Sequence, residues 1–377
     1  MMKNNRNKDT LGLYIHIPFC VRKCAYCDFY SVADKSLHKA YIDALCIQMK
    51  DLSKLYFDRS FDTVYIGGGT PSVLESDLIK QLMNGINESF NVSKGSEVTL
   101  EANPATLNDS KLDAMLENGI NRLSIGCQSS NDEELKALGR LHSYGDFVDT
   151  YDLARKAGFS NISVDLMYSL PSQNIHILKH SLESIVSLSP EHISLYGLKI
   201  EPGTLFYKNR DKMIFPDDDT FCDMYLMASE YLDNAGYNKY EISNFAHEGK
   251  ESRHNLRYWN FDQYLGLGPG AHSYTNGRRF AYRKDILKYI SSVNEGIDPE
   301  KSENRVLLPN DIINETFMLK MRLVNGVEDF RAYNISENLI DRYVNGGFLK
   351  RVGFSVRFTD RGFLVSNYIL SDLISFD

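Results

Sequence analysis

The sequence predicts an α/β fold in which helices cover a parallel sheet, followed by a small C-terminal domain. Three observations predict it: short β-branched or aromatic runs, helix-length polar stretches between them, and a recurrence of about 25 to 40 residues that suits βα units. Alternation at this spacing favours parallel pairing, in a barrel or a doubly wound sheet. A length of 377 residues is sufficient for one large domain and a smaller one.

The apolar runs predict seven strands, and the segments between them predict helices. Residues 37–56 and 72–90, for example, carry apolar residues at helical spacing. The predicted strands are LYIHI (13–17), TVYI (63–66), EVTL (97–100), RLSI (122–125), ISVDL (162–166), HISLY (192–196) and KYEIS (239–243).

The sequence divides into three parts. Residues 1–10 are a polar tail, residues 11–295 form the main domain, and residues 296–377 form a small C-terminal domain. The charged stretch at 299–305 predicts a linker between the two domains.

The C-terminal domain is predicted to be helical with one hairpin. An apolar pattern predicts a helix over 311–324, and residues 327–343 predict further helices. Strands over 349–358 and 363–366, around a turn at 359–362, complete a winged-helix-like arrangement.

Composition limits the function classes. The formal net charge of −8 argues against a nucleic-acid partner, although Arg278, Arg279 and Arg283 lie close together in sequence. We find no signal sequence and no long apolar segment, so we expect a cytoplasmic protein. The six cysteines are few for this length and three are clustered, which suits a reducing compartment.

The clustered cysteines predict a metal site. Cys20, Cys24 and Cys27 form a C-x3-C-x2-C motif. Three thiolates leave one iron of a four-iron cubane without a protein ligand, where a small molecule with an amine and a carboxylate can chelate. S-adenosylmethionine has both groups. The alternative is a structural zinc site, with His16 as a fourth ligand.

Polar residues and glycines follow the predicted strands, where a ligand lies in a parallel barrel. They are the GGGTP loop at 67–71, Glu101, Gly126 with Gln128, and Asp165. Glycines allow close approach and their exposed N–H groups can bind a carboxylate, while the three polar side chains can bind an amine or a sugar. Each alone also suits a turn, a loop start or a surface amide. Their joint placement predicts a cluster and nucleotide site.

These residues resemble the radical S-adenosylmethionine superfamily, through the three cysteines, Tyr26 and the GGGTP loop. Within it the chain is similar to oxygen-independent coproporphyrinogen III oxidase and its relatives. Further motifs that carry the resemblance are EANP (101–104), SIGCQS (124–129), LGRLHS (138–143), SVDLMYSLP (163–171), SLYGLKIEPGT (194–204), YEISNFA (240–246), GLGPGAHSY (266–274) and TDRGFLVSN (359–367).

The resemblance implies a fold and a ligand set. It implies a partial (β/α)6-type barrel, and a [4Fe–4S] cluster on Cys20, Cys24 and Cys27. The cluster of such proteins supplies an electron that cleaves the bound sulfonium. The residues implied to surround S-adenosylmethionine are Tyr14, Tyr26, Gly68, Gly69, Thr70, Glu101, Gln128, Arg140 and Asp165.

Two features distinguish the chain from the oxidases. The oxidases carry a further cysteine two residues after the third cluster ligand, where this chain has Phe29. The segment HNLRYW at 254–259 matches the HN-x-x-YW pattern of the HemW relatives, which the resemblance implies bind heme and hand it to acceptor proteins.

The HNLRYW segment suits a heme contact. A neutral His254 can ligate iron, with Asn255 orienting its ring. Tyr258 and Trp259 offer flat apolar surface, and Arg257 can pair with a propionate.

The same segment also has a purely structural interpretation. Trp259 would then anchor a loop on the barrel while His254 caps or hydrogen-bonds it. His192 and His272 are further candidate heme ligands.

The predicted function is a heme chaperone that carries a [4Fe–4S] cluster, S-adenosylmethionine and heme, with heme as cargo and heme-accepting proteins as partners. The alternatives are a radical enzyme that decarboxylates a porphyrinogen and a zinc-stabilised binding module. A membrane-bound acceptor would bring the chain to a bilayer peripherally.

Overall fold

A twelve-stranded sheet forms the centre of the computed structural model, which describes residues 10–374. A separate two-stranded hairpin lies near the C-terminus. The strands are β1 (Thr10–Ile17), β2 (Ser60–Gly68), β3 (Asn91–Ala102), β4 (Arg122–Gln128), β5 (Ile162–Tyr168), β6 (His192–Gly197), β7 (Asn238–Lys239), β8 (Asn244–Ala246), β9 (Tyr264–Leu267), β10 (His272–Thr275), β11 (Arg278–Tyr282), β12 (Lys301–Val306), β13 (Leu349–Val352) and β14 (Ser355–Phe358).

Helices connect the strands and cover the sheet. The α-helices are α1 (His38–Ser53), α2 (Ser76–Ser89), α3 (Asp109–Glu117), α4 (Asp132–Ala137), α5 (Tyr144–Ala157), α6 (Ile175–Ser187), α7 (Leu205–Asn209), α8 (Asp218–Asn234), α9 (Arg253–Trp259), α10 (Ile286–Asn294), α11 (Pro309–Lys320), α12 (Glu337–Asn345), α13 (Asp360–Leu364) and α14 (Ser366–Leu373). Short 3₁₀ turns occupy Lys35–Leu37, Pro71–Val73, Pro104–Thr106, Arg210–Lys212 and Phe330–Tyr333.

The sheet has a parallel centre and antiparallel edges. Strands β1 to β6 pair in chain order, all in parallel, and β9 pairs in parallel with β1 on the other side. The remaining strands extend both edges in antiparallel pairing, giving the order β12-β11-β10-β9-β1-β2-β3-β4-β5-β6-β8-β7. The first six predicted strands and the partial barrel of six βα units are therefore confirmed.

The seventh predicted strand, at 239–243, is wrong. The segment bends between β7 and β8, which form an antiparallel edge. The buried Glu241 carboxylate accepts a hydrogen bond from the N–H of Ser243 (3.1 Å) and another from the amide of Asn244. These local bonds hold a turn in place of a ladder.

The two faces of the parallel strands differ in polarity. In β4, Leu123 and Ile125 are fully buried in the hydrophobic core beneath the helices. The alternate residues Arg122 and Ser124 line a cavity on the opposite face. Because side chains alternate along a strand, the inner face of the sheet is polar although it is buried.

Local sequence signals set the helix ends. Helix α5 begins with a capping box in which the Ser143 hydroxyl accepts from the N–H of Asp146 and the Asp146 carboxylate accepts from the N–H of Ser143. It ends at Gly158, whose φ of 116° is the left-handed conformation that closes helices.

Two predictions for the C-terminal part are wrong. Residues 301–306 form β12, which pairs with β11 in the main sheet, where the charged sequence predicted a linker. The hairpin of β13 and β14 turns at Gly353, whose φ is 60°. The predicted turn at 359–362 instead begins α13, because the Thr359 hydroxyl accepts a hydrogen bond from the N–H of Gly362 (3.0 Å).

The C-terminal elements pack against the main domain. The predicted helix over 311–324 is present as α11, and Phe317, Phe330 and Ile340 belong to the same hydrophobic cluster as the barrel core. Lys239 and Asp360 form an ion pair of 2.5 Å between the two parts. The division at residue 295 stays a prediction, and the predicted tail lies outside the described residues except for Thr10. Within residues 10–374, no helix has the length and apolar character needed to cross a membrane.

We predict that Gly268→Ala destabilises the fold more than Gly277→Ala does. Both glycines have positive φ, 96° and 73°, so alanine at either site costs about 1–2 kcal/mol. A Cβ at Gly268 would also overlap the Tyr41 hydroxyl and lie 2.9 Å from the His16 carbonyl oxygen, whereas Gly277 has open space. Thermal unfolding should show a Tm several degrees lower for Gly268→Ala. Equal Tm values would contradict this packing.

Candidate cluster and cofactor site

A cavity of about 410 Å³ lies at the carboxyl ends of the central parallel strands. Cys20, Cys24 and Cys27 all line it, together with eight of the nine residues predicted to surround S-adenosylmethionine. Those eight are Tyr26, Gly68, Gly69, Thr70, Glu101, Gln128, Arg140 and Asp165. The structure thus brings together residues spread over more than 140 positions of sequence, because the carboxyl ends of parallel strands meet at one edge of the sheet.

The cysteine loop follows β1 and is tied at both ends. At its base, the N–H of Cys20 donates to the carbonyl of Val32 (3.0 Å). Farther out, the N–H of Ala25 donates to the carbonyl of Leu138 (3.1 Å), and the Arg22 guanidinium donates to the carbonyl of Gly139 (2.6 Å). These bonds hold the loop over the sheet with its three thiols partly exposed to the cavity.

The thiols lie beside a buried cation. The Arg140 guanidinium is 3.7 Å from the sulfur of Cys24, so a positive charge lies beside the cysteine loop. Burial raises the pKa of the Cys27 thiol, and the neighbouring Cys24 and Cys20 raise it further. A hydrogen bond from the N–H of Phe29 has the opposite effect and lowers this pKa. Metal binding to this loop therefore releases protons.

The glycine loop packs against the cysteine loop. The N–H of Gly69 donates to the carbonyl of Ile17 (2.9 Å) and the N–H of Thr70 to that of Phe19 (2.7 Å). A Cβ on Gly69 would lie 2.6 Å from the Phe19 oxygen, so only glycine fits. The expectation that these N–H groups are exposed to bind a carboxylate is wrong, because the neighbouring loop already uses them.

Glu101 is fixed at the cavity wall. Its carboxylate accepts hydrogen bonds from the Tyr65 hydroxyl (2.8 Å) and from the N–H of Gly68 (2.9 Å). Burial nevertheless raises its pKa from 4.5 to about 7, with Asp165 adding to the shift. Burial also raises the pKa of Asp165, against hydrogen bonds from Ser194 and Ser124. The cavity thus contains two carboxyl groups that a cationic or hydroxylated ligand would stabilise in the ionised form.

Gln128 and Arg140 meet at a distortion of β4. Gln128 has a φ of 72°, and the pairing of β4 with β5 shifts register between Gly126 and Gln128. The Arg140 guanidinium donates to the carbonyl of Gly126 (2.7 Å). A bulge of this kind re-aims a side chain, here the Gln128 amide, toward the cavity.

His16 is not available as a fourth zinc ligand. Its Nδ1 is hydrogen-bonded to the Tyr14 hydroxyl (3.0 Å) and its Nε2 to the carbonyl of Tyr30 (3.1 Å). Within residues 10–374, no three His, Cys, Asp or Glu side chains converge closely enough to hold one metal ion. In a cubane each thiolate binds a different iron, so three thiols spaced along one cavity wall suit the cluster.

Arg122 is a cavity residue that the sequence did not lead us to predict. Its side chain is 2% exposed and lines the cavity, and its Nε has no hydrogen-bond partner among the described residues. The alternation of Arg122 and Ser124 with apolar residues along β4 was a signal for a polar inner face.

A second cavity, of about 570 Å³, adjoins the first. The two share wall residues, including Phe29, Tyr65, Glu101 and Asn255. Tyr14, the ninth residue predicted to contact S-adenosylmethionine, lines only this second cavity of the two. We call it the aromatic cavity, because its wall also carries Phe29, Tyr30, Tyr65, Tyr196, Tyr258 and Tyr264.

The HNLRYW segment forms helix α9 and divides between core and cavity. Asn255 and Tyr258 line the aromatic cavity. His254 is completely buried beneath them, with Nδ1 hydrogen-bonded to Thr63 (2.9 Å) and Nε2 to the Tyr258 hydroxyl (2.8 Å). Burial lowers its pKa to about 3. Both ring nitrogens are engaged, so the geometry of His254 is structural and does not favour iron ligation.

Trp259 and Arg257, by contrast, lie outside the aromatic cavity. Trp259 is half-buried and lines neither cavity. Arg257 is buried and its guanidinium donates to the Asp62 carboxylate (2.9 Å), so the expected pairing with a propionate is not supported.

The remaining two candidate heme ligands differ sharply. His192 is completely buried, with Nδ1 bonded to Ser163 (2.7 Å) and Nε2 to the Tyr240 hydroxyl (2.8 Å). His272 lines the aromatic cavity with 57% of its side chain exposed. Burial of part of the ring lowers the pKa of His272, and the positive charges of Lys284 and Arg279 lower it further. The negative charge of Glu303 partly offsets this by raising the pKa.

Comparison with known proteins identifies the family. The Radical SAM superfamily model matches residues 14–185. Heme chaperone HemW of Bacillus subtilis is 38% identical over 84% of this chain and 85% of its own length. Heme chaperone HemW of Escherichia coli is 34% identical over 96% of this chain and 97% of its own length. The chain belongs to the HemW family of radical SAM proteins. The resemblance seen in the sequence is thereby confirmed.

A solved structure supports the fold. Coproporphyrinogen III oxidase (HemN) from Escherichia coli, a radical SAM enzyme, matches with a TM-score of 0.85, covering 99% of this chain and 92% of its own. The identity is 23%, so the likeness shows the fold alone.

Membership of the superfamily implies S-adenosylmethionine and a [4Fe–4S] cluster. The residues present fit both groups, since three thiols and the Arg140 cation face one cavity with Glu101 and Asp165. The assignment of individual side chains to these ligands stays a prediction.

We predict that Glu101→Gln stabilises the cofactor-free protein above pH 7 and weakens binding of S-adenosylmethionine to the cluster-loaded protein. The raised pKa of Glu101 means that the folded chain keeps a proton that the unfolded chain loses above about pH 4.5, so its burial costs stability as the pH rises to about 7. The increase in the free energy of unfolding caused by Glu101→Gln should grow across pH 4.5–7 and then stay constant, at no more than about 3 kcal/mol.

Unfolding of both proteins between pH 5 and pH 8 checks this, with Glu117→Gln, an exposed carboxylate, as the control. A stability difference that does not change with pH would contradict the assignment.

Proposed function

We propose that this chain is a heme chaperone that binds heme beside its cluster and S-adenosylmethionine site and transfers it to acceptor proteins. The observation that carries the proposal is the aromatic cavity. The HNLRYW segment, which sets the chain apart from the oxidases, contributes Asn255 and Tyr258 to that cavity. The whole-length similarity to relatives named heme chaperone HemW supports it.

The aromatic cavity has a surface suited to a porphyrin. Rings such as Tyr30, Tyr258 and Tyr264 line it, and its volume lies within the ~300–1,000 Å³ of small-molecule pockets. His254 holds the Tyr258 hydroxyl from beneath. The HN-x-x-YW segment thus contributes to heme binding by fixing the wall of the cavity, with His254 as a support.

Phe29 lies where the two cavities meet. Its side chain lines both cavities and is 66% exposed. A flat apolar ligand in the aromatic cavity would cover it. A cysteine at this position, as in the oxidases, would offer a thiol in place of this apolar contact.

The cluster site has its own part in the proposal. Cys20, Cys24 and Cys27 would hold the cluster, and the Glu101 and Asp165 carboxylates would orient S-adenosylmethionine by charge-assisted hydrogen bonds. When bound, the cluster supplies one-electron chemistry. Arg140 would compensate the negative charge of the thiolates.

The proposed partners are heme as cargo and heme-accepting proteins. We do not propose nucleic acid as a partner: the formal net charge is −8, and two of the three arginines of the candidate basic patch form ion pairs, Arg279 with Glu315 (2.6 Å) and Arg283 with Glu300 (2.5 Å). Peripheral membrane contact would come through an acceptor.

A competition experiment tests the proposal. The cluster-loaded, reduced protein is incubated anaerobically with S-adenosylmethionine, coproporphyrinogen III and heme, and bound and free tetrapyrroles are separated and identified by mass spectrometry. We expect heme on the protein, near one per chain, and coproporphyrinogen unchanged.

Two variants provide controls. Cys24→Ser should lose the iron–sulfur absorbance, whereas Cys222→Ser, in α8 and outside both cavities, should keep it. Loss of two carboxyl groups from coproporphyrinogen with formation of 5′-deoxyadenosine would instead identify an oxidase. Heme recovered only in the free fraction would refute the chaperone proposal.

A further inference from the structure

The aromatic cavity contains one histidine with a free ring nitrogen. Of the two histidines in its wall, His16 has both nitrogens hydrogen-bonded, and among the residues described His272 alone leaves Nε2 without a protein partner there. His254 and His192 are buried with both nitrogens engaged. A heme in this cavity would therefore meet His272 as the available imidazole.

We propose that Nε2 of His272 ligates the iron of heme bound in the aromatic cavity. This inference rests on the proposed function and names the residue that holds the cargo.

Strand pairing places a carboxylate close to His272. His272 on β10 pairs with Ala281 on β11, and Ala281 pairs with Glu303 on β12. Directly paired residues point to the same face, so His272 and Glu303 flank a small alanine. The carboxylate of Glu303 lies 3.9 Å from Nδ1 of His272.

A carboxylate near one ring nitrogen is a common feature of metal-binding histidines, although the 3.9 Å between Nδ1 of His272 and the Glu303 carboxylate is longer than a hydrogen bond. Such a histidine commonly donates its other ring N–H to a carboxylate, which fixes the tautomer and the ring orientation. With Nδ1 facing Glu303, Nε2 is the nitrogen left for iron.

The surrounding wall suits the rest of the ligand. Tyr258 and Tyr264 pack edge to face, with ring centroids 4.6 Å apart, and offer rigid apolar surface. Lys284 also lines the cavity and packs beside Gly270: its Cγ lies 3.4 Å from the place that a Cβ on Gly270 would occupy. Its ammonium can pair with a propionate at the exposed edge.

Heme titration of wild type and variants tests the ligand. His272→Ala should bind heme about tenfold or more weakly and lose the iron–imidazole vibration in the resonance Raman spectrum of ferrous heme. His272→Cys should give the electron paramagnetic resonance spectrum of thiolate-ligated ferric heme. His176→Ala, an exposed histidine on α6, should behave as wild type.

Glu303→Gln separates positioning from ligation. The iron–imidazole frequency should fall while the imidazole signal persists, because the neutral amide removes the negative charge that lies 3.9 Å from Nδ1.

The outcomes distinguish this inference from the proposed function. Wild-type protein that binds no heme overturns both. Wild-type binding with an imidazole signal that survives in His272→Ala, and no thiolate signal in His272→Cys, refutes the ligand and leaves the chaperone proposal standing. Because His272 is half-exposed, we expect both variants to fold, and circular dichroism verifies it.

Discussion

The site depends on the backbone hydrogen bonds that join the glycine loop to the cysteine loop. The bonds from Gly69 and Thr70 to the carbonyls of Ile17 and Phe19 continue the pairing of β1 and β2 beyond the strand ends. They set the direction in which the chain leaves β1, and hence where the three thiols lie. The N–H of the adjacent Gly68 fixes Glu101 on the opposite wall. Backbone groups that looked like ligand contacts therefore build the site, and the side chains are left to bind the ligand.

The inner face of the sheet carries buried polar and ionisable groups whose desolvation costs stability in the empty protein. Glu101 and Asp165 carry raised pKa values because burial disfavours their charge, and the buried Arg122 presents an Nε without a partner. A bound cofactor with an amine, a carboxylate and ribose hydroxyls offers partners to both kinds of group. Stability lost in the empty protein would then become affinity for a cofactor bound there, as is common at functional sites.

The fold followed from the sequence where patterns are local. Strands β1 to β6 were predictable because each contains a short β-branched or aromatic run followed by a segment of helix length. The segment at 239–243 has the same composition, but the bonds of the Glu241 carboxylate turn it. The function of the HNLRYW segment depends on which ring nitrogens are bonded, and sequence does not carry that information. His254 therefore looked like a ligand, whereas the half-exposed His272, aligned with Glu303 across three strands, was one candidate among several.

In the proposed function, two cavities with a common wall would let one chain hold a cluster and a heme together. Phe29 and Glu101 belong to both, so each ligand borders the other. Iron-edge anomalous diffraction from crystals of the cluster-loaded, heme-loaded protein tests this account most directly. We predict a four-iron peak at Cys20, Cys24 and Cys27 and a separate single-iron peak bonded to Nε2 of His272. A single-iron peak elsewhere, at the cluster cavity or on the outer surface, would contradict it.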